Sequence, residues 1–287
     1  MPAIFFAFLS FFAWGIGDFL VAVTTRRIEA YSASFWSLLF SSLVLGAYIP
    51  FAFTDLSNLT LPLFLLNIFL GLLLVAGIIA YREGLSVSNA AIVGTIGNAF
   101  TMVAAILSIV VFQERISIQQ FIAIVLIFIG LFLTTVAAKE LTGGKIRLEK
   151  GILLGFFAMI VWGIYFTFIK IPIREIGWFW PNYFSLLTFP LIYVAMKVQK
   201  IRLVSPMHRN VLMIFIISII LVRMAELSFN AGIQKGYTAI VASIAGASPV
   251  LFILLAFIFL RDPITKQQVV GIVTTLIGII LLSFFSI

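Results

Sequence analysis

Apolar residues run through this chain in ten stretches, at about 3–24, 31–53, 62–85, 88–111, 118–138, 150–170, 179–198, 209–233, 238–260 and 266–286, each cut off by charged or turn-forming residues. A stretch of about 20 such residues is long enough to cross the hydrocarbon core of a bilayer as a helix. Inside lipid the backbone needs hydrogen-bond partners from its own segment, which a helix supplies. The pattern therefore predicts an all-α integral membrane protein of ten transmembrane helices joined by short loops. The most polar connection, Glu140-Leu141-Thr142-Gly143-Gly144-Lys145-Ile146-Arg147-Leu148, carries paired glycines and reads as a linker (140–148) between two halves, 1–139 and 149–287. The first stretch has no basic region before it and runs past Leu20 without a small-residue cleavage site, so it reads as a spanning helix and not a removable signal.

The halves repeat. A shift of 148 positions lays Trp14-Gly15-Ile16 on Trp162-Gly163-Ile164, Ser37-Leu38-Leu39 on Ser185-Leu186-Leu187, Gly84 on Gly232 and Ala91-Ile92-Val93 on Ala239-Ile240-Val241. The same shift lays Gln119-Gln120 on Gln267-Gln268 and Gly130 on Gly278, and it aligns Glu114-Arg115-Ile116-Ser117 with Asp262-Pro263-Ile264-Thr265. Five spans per copy is an odd number, so each copy ends on the side of the bilayer opposite its start. The second copy is then inserted upside down, as an inverted repeat. In transporters built this way the substrate site lies near the midplane between the repeats, and the halves can exchange conformations of similar energy.

Composition narrows the chemistry. Of the 287 residues 63% are apolar and 10% charged, against about half and a quarter in soluble domains. Mean hydropathy is +1.25, and the loops leave no room for a soluble catalytic domain. The chain has no cysteine and one histidine, His208, in a polar loop, which excludes disulfides and cysteine-held metal centres. Gly143-Gly144-Lys145 is followed by Ile146, so no phosphate-binding P-loop is present. No cofactor and no metal is expected; a proton or an exchanged substrate remains as the coupling species. An intramembrane enzyme would need a nucleophile–base pair or metal ligands at membrane depth, and no such motif occurs.

The formal net charge is +8, but the basic residues cluster in loops between apolar spans. They read as juxtamembrane charge and not as a nucleic-acid surface. With cytoplasmic termini the inside loops would hold Arg115, Lys170, Arg174 and Lys235, while Arg26, Arg27, Lys139, Lys145, Arg147, Lys150, Lys197, Lys200, Arg202 and Arg209 would all lie outside. The positive-inside rule therefore favours both termini outside.

Ten helices in two repeats, the Trp-Gly pairs on helices 1 and 6, and the glycine-rich helix 4 ending in Phe112-Gln113-Glu114-Arg115-Ile116-Ser117 together resemble the drug/metabolite transporter superfamily, in its EamA-type branch. The resemblance covers essentially the whole chain. It implies secondary transport of a small molecule, a class that spans amino acids, sugars, nucleotide derivatives and amphipathic drugs. One departure is visible. Members often carry a basic residue near the end of helix 1; here that place on helix 6 is Lys170, its helix-1 equivalent is Ala22, and helix 1 has Asp18 opposite Phe166 in the repeat.

Charge at membrane depth costs about 2.5–3.5 kcal/mol and usually lines a cavity or is paired. Asp18 follows Trp14 at i, i+4 and is flanked by apolar sequence, so a cavity role fits it, as a proton acceptor or as a partner for a cationic group. Arg223, Glu226 and Asn230 share one stripe of helix 8; they form either a self-neutralising pair or a polar cavity wall in which Arg223 takes a carboxylate or phosphate. Arg82 and Glu83 lie near the end of helix 3, where a surface pair competes with a cavity role. Lys170 shares a face with Trp162. Asn98 on helix 4 needs buried partners, and Trp14, Trp162, Tyr81 and Tyr165 can stack on a substrate. Helices 5 and 10 read as peripheral. The leading reading is a secondary transporter that moves a small amphipathic metabolite such as an amino acid by alternating access, coupled to protons or to exchange. It would act as an exporter in the cell (plasma or inner) membrane, as monomer or homodimer. Organic cations, sugars and nucleosides are the alternative substrates.

Overall fold

A computed structural model describes residues 2–25, 29–88, 90–135, 150–206 and 209–286; the linker 140–148, His208 and Arg26, Arg27, Lys139, Lys145 and Arg147 lie outside the described residues. Every regular element among the described residues is helical. In chain order they are α1 (Pro2–Thr25), α2 (Ala30–Gly46), α3 (Ile49–Ala52), α4 (Leu61–Val87), α5 (Ala90–Asn98), α6 (Phe100–Val111), α7 (Ile118–Thr135) and α8 (Lys150–Phe168). There follow α9 (Lys170–Ile176), α10 (Trp180–Leu186), α11 (Phe189–Val198), α12 (Arg209–Lys235), α13 (Thr238–Ala245), α14 (Ser248–Leu255) and α15 (Lys266–Phe284).

By length and composition, eight helices among the described residues can cross a membrane, or nine if one bent pair counts as a single span. Two of the ten expected spans are therefore not straight helices. In the stretch 31–53, α2 gives way to α3 and a 3-10 turn with a bend of 66°. Pro50 stands in the first turn of α3, where a residue without an N–H is tolerated but the preceding helix cannot continue. The stretch 179–198 is divided into α10 and α11, each with a proline in its first turn. At that break the Thr188 hydroxyl donates to the Ser185 carbonyl at 2.5 Å.

The long helices pack in pairs that survive exchange of the halves. α1 lies on α12 as α8 lies on α4, and α7 lies on α15. Close approach at small residues makes such crossings, both there and where α1 meets α14 and α8 meets α6, as is usual where lipid removes any hydrophobic drive to associate. A Cβ added at Gly15 would come within 2.8 Å of Leu251, and one at Gly163 within 2.4 Å of Val103; both residues of the second contact are displaced by 148 positions from those of the first. At the α7–α15 crossing, Gly130 faces Thr275 and Gly271, while Gly278 faces Ile127 and Ala123, again the same contacts with halves exchanged.

The turns repeat as well. Ser117 and Gln120 bond each other's backbone N–H at 3.2 and 2.9 Å to start α7, and Thr265 with Gln268 forms the same reciprocal cap on α15. Just before them, Gln113 (φ 51°) and Arg261 (φ 59°) both take the left-handed conformation. Outside the bundle, Phe5, Phe12, Phe69, Phe121, Phe132, Phe157 and Ile280 are exposed. Apolar surface on that scale needs lipid against it. The protein is a multi-pass membrane protein.

Candidate functional site

A cavity of about 680 Å³ lies between the halves. Its charged lining residues are Asp18 from α1, Arg82 from α4, and Arg223 and Glu226 from α12. Its aromatic walls include Trp14, Tyr81, Phe100, Trp162 and Phe166. The remaining lining residues show which end of the bundle it reaches. Val21 and Ala22 end α1, Leu85 and Thr134 stand near the ends of α4 and α7, and Ser34, Gly94 and Gln268 stand near the starts of α2, α5 and α15. All of these belong to one end. The other end is packed shut: Ile169, Ile173, Ile176, Phe179 and Ile233 are buried there.

The two tryptophans are held alike. Trp162 stands 5.3 Å from Tyr81 on α4 and donates its indole N–H to the Leu74 carbonyl at 3.2 Å. Trp14 stands 5.6 Å from Phe229 on α12, which is the counterpart of Tyr81. Gly77 on α4 makes room for the Trp162 ring, since a Cβ there would fall 2.3 Å from its nitrogen.

The charges are not alike. Arg223 and Glu226 form an ion pair one helical turn apart, with side chains 12% and 19% exposed. Glu226 also accepts from the Asn182 amide at 2.8 Å. Asp18 is exposed to the cavity, whose lining also holds Arg82. No ion pair of Asp18 or Arg82 is formed among the described residues. The cavity thus carries one satisfied pair and one open pair of opposite charges. An open pair can hold a ligand's charged groups without first giving up a protein partner.

Of the residues singled out in the sequence, Asp18, Trp14, Tyr81, Asn98, Trp162, Arg223 and Glu226 meet at the cavity. Four stand elsewhere. Asn230 is buried and donates to the Trp178 carbonyl at 3.2 Å. Tyr165 is buried with its hydroxyl 3.1 Å from Ser185. Glu83 bonds Lys150 at 2.5 Å on the outside. Lys170 is 1% exposed and bonds Glu114 at 2.5 Å at the shut end. The expectation that helices 5 and 10 are peripheral holds only for their outer faces, because Thr134, Thr135 and Gln268 at their ends line the cavity.

Sequence reasoning passed over Asn182 and Glu114 as site residues, and set a surface pair with Glu83 against a cavity role for Arg82. For Arg82 a signal existed: its counterpart 148 positions on is Asn230, already a candidate.

A family model for EamA-like transporters matches residues 1–136 and again 149–284. The chain belongs to the EamA-like transporter family. It is therefore a membrane transporter of the drug/metabolite transporter superfamily, and the family match falls twice along this EamA-type chain, once per half. An uncharacterised protein of Methanocaldococcus jannaschii is 27% identical over 139 residues, which make up 98% of that protein and 47% of this one. A solved crystal structure, 16% identical, superposes with a TM-score of 0.82 over 99% of this chain and 96% of its own, which shows a shared fold.

Proposed function

We propose that this EamA-type protein is a secondary transporter that exchanges or proton-couples a small zwitterion, such as an amino acid with an apolar side chain, by alternating access. The observation that carries the reading is the open charge pair in an aromatic cavity: Asp18 and Arg82 have no ion-pair partner among the described residues, while Arg223 and Glu226 have each other. An ammonium group fits Asp18 and a carboxylate fits Arg82, with Trp14, Tyr81 and Trp162 left to enclose the apolar part.

Ten spans in two inverted five-helix repeats is the architecture we infer, with α10 and α11 together making the tenth span. The exchange of equivalent contacts at Gly15 and Gly163, and at Gly130 and Gly278, supports it. In such a frame the halves can swap conformations and open the cavity to the other side. The basic loops at the cavity's open end favour a cytoplasmic opening, and on that orientation the present conformation faces inward, as an exporter loading its substrate in the plasma or inner membrane would.

A thermal-shift screen of the purified protein, followed by uptake into proteoliposomes, tests this. Zwitterionic amino acids should raise the melting temperature more than the matching amine or acid alone, and uptake should saturate and be accelerated by substrate on the far side. Stabilisation by quaternary amines or nucleosides, with none by amino acids, would overturn the substrate assignment; flux that does not saturate would overturn the carrier.

A further inference from the structure

Glu114 is buried at the shut end and makes three bonds that tie distant segments together. Oε1 accepts from Lys170 Nζ at 2.5 Å and from the Thr238 N–H at 2.8 Å, and Oε2 accepts from the Ala239 N–H at 2.9 Å. The carboxylate therefore caps α13 of the second half from the end of α6 in the first, with the ammonium of α9 beside it. Lys170 also faces the rings of Phe112 and Tyr237 at 5.7 and 6.0 Å. A charge so placed is held by polar partners from two other segments, and its own segment must part from both if this end is to open.

The repeat supplies a counterpart. Asp262 stands 148 positions after Glu114, and Ala90 and Ala91, which begin α5, stand 148 positions before Thr238 and Ala239. The backbone prepares both acids in the same way, since each follows a left-handed residue, Gln113 or Arg261. Yet Glu114 is buried and bonded, whereas Asp262 is exposed and its carboxylate has no bond among the described residues. The difference coincides with the cavity reaching the Asp262 end only.

We infer that Glu114 and Asp262 are reciprocal latches. Glu114 locks the end that is shut here, and Asp262 caps the start of α5 when the cavity end closes and the Glu114 end opens. This rests on the alternating-access reading above. The latches are unequal, because the counterpart of Lys170 is Ala22. With alanine in the place of Lys170, the Asp262 latch lacks that cation beside its two backbone donors, so the equilibrium favours the conformation seen here.

The chain has no cysteine, so single reporters can be added to the full-length purified protein: Leu85→Cys lines the open cavity, and Ile233→Cys, its counterpart 148 positions on, is 1% exposed at the shut end. Maleimide labelling rates are then compared. Glu114→Gln should raise labelling at Ile233→Cys by about tenfold or more and lower it at Leu85→Cys, the ratio expected when a charge-assisted contact of one state is lost. Adding Asp262→Ala should reverse most of that change, because it removes the acceptor of the opposite state's latch. Should Glu114→Gln not yield folded protein, Lys170→Met carries the same comparison. Labelling unaltered by Asp262→Ala in the released background overturns the reciprocal latch. Reporters that gain or lose labelling together, never in opposite senses, overturn alternating access itself, so the two failures are told apart.

Discussion

Glu83 takes its hydrogen bond from Lys150 on α8, 2.5 Å away, and not from Arg82, its neighbour in sequence. Consecutive residues of a helix point about 100° apart, so α4 turns Glu83 toward α8 and Arg82 into the cavity. Two adjacent charges, for which a surface pair and a cavity role compete in sequence, therefore have separate tasks.

The first prediction follows from that division. Arg82→Gln should weaken binding of a zwitterionic substrate by about tenfold or more, since a hydrogen bond to a charged group contributes about 1.5–3 kcal/mol. Arg82→Lys should recover only part of it, because an ammonium cannot grip a carboxylate with two parallel bonds. Glu83→Gln should leave affinity unchanged, as the Lys150 side chain is 70% exposed and such a pair contributes about 0–1 kcal/mol. Calorimetric titration of the three variants distinguishes these outcomes.

Asp18→Asn keeps the shape of the cavity wall and removes its one open acid. Flux driven by a proton gradient should be lost in proteoliposomes, while one-for-one exchange of substrate at equal pH on both sides persists at reduced affinity. Gradient-driven flux equal to wild type would remove Asp18 from the coupling step.

Much of this was legible in the sequence, for a physical reason. A duplicated packing unit keeps its contacts at constant separation, so Trp14 and Trp162, and Gln120 and Gln268, could be matched before their rings and caps were seen. Breaks within spans were less legible. An apolar run reports only that lipid or protein surrounds it, and Pro50, Pro181 and Pro190 were the signals that α2–α3 and α10–α11 are interrupted. Contacts between asymmetric charges left no periodic trace at all. Lys170 and Glu114 are 56 residues apart, each at a span end where a solvated charge is the ordinary reading. Only the start of α13 folding over both buries them. Asn182, set among aromatic residues, gave no hint that its amide would reach Glu226.

Arg223 and Glu226 offer a test of pairing. Their side chains are largely buried, and the Arg223 Nε has no partner among the described residues. Removing one member leaves the other charge uncompensated, which costs about 3–5 kcal/mol at fully buried sites and less here, where some exposure remains. Glu226→Leu alone should therefore lower the melting temperature more than the double change Arg223→Leu with Glu226→Leu. A double variant that is less stable than either single one would mean that the pair contributes through the cavity and not through compensation.

The α7–α15 crossing gives the sharpest steric prediction. A Cβ at Gly130 would stand 2.4 Å from the Thr275 hydroxyl oxygen and 2.5 Å from its backbone nitrogen, and the backbone cannot yield as a flexible side-chain tip could. At Gly94, on the cavity wall, the nearest atom to an added Cβ is the Tyr81 hydroxyl at 3.5 Å, an ordinary contact. Gly130→Ala should force the two helices apart and cost about 1–3 kcal/mol, the usual range for overpacking. Gly94→Ala, which also removes the helix penalty of glycine, should be neutral or slightly stabilising. Melting temperatures of the two purified variants in one detergent decide this, and equal destabilisation by both would mean that α7 and α15 do not cross as closely as their glycines indicate.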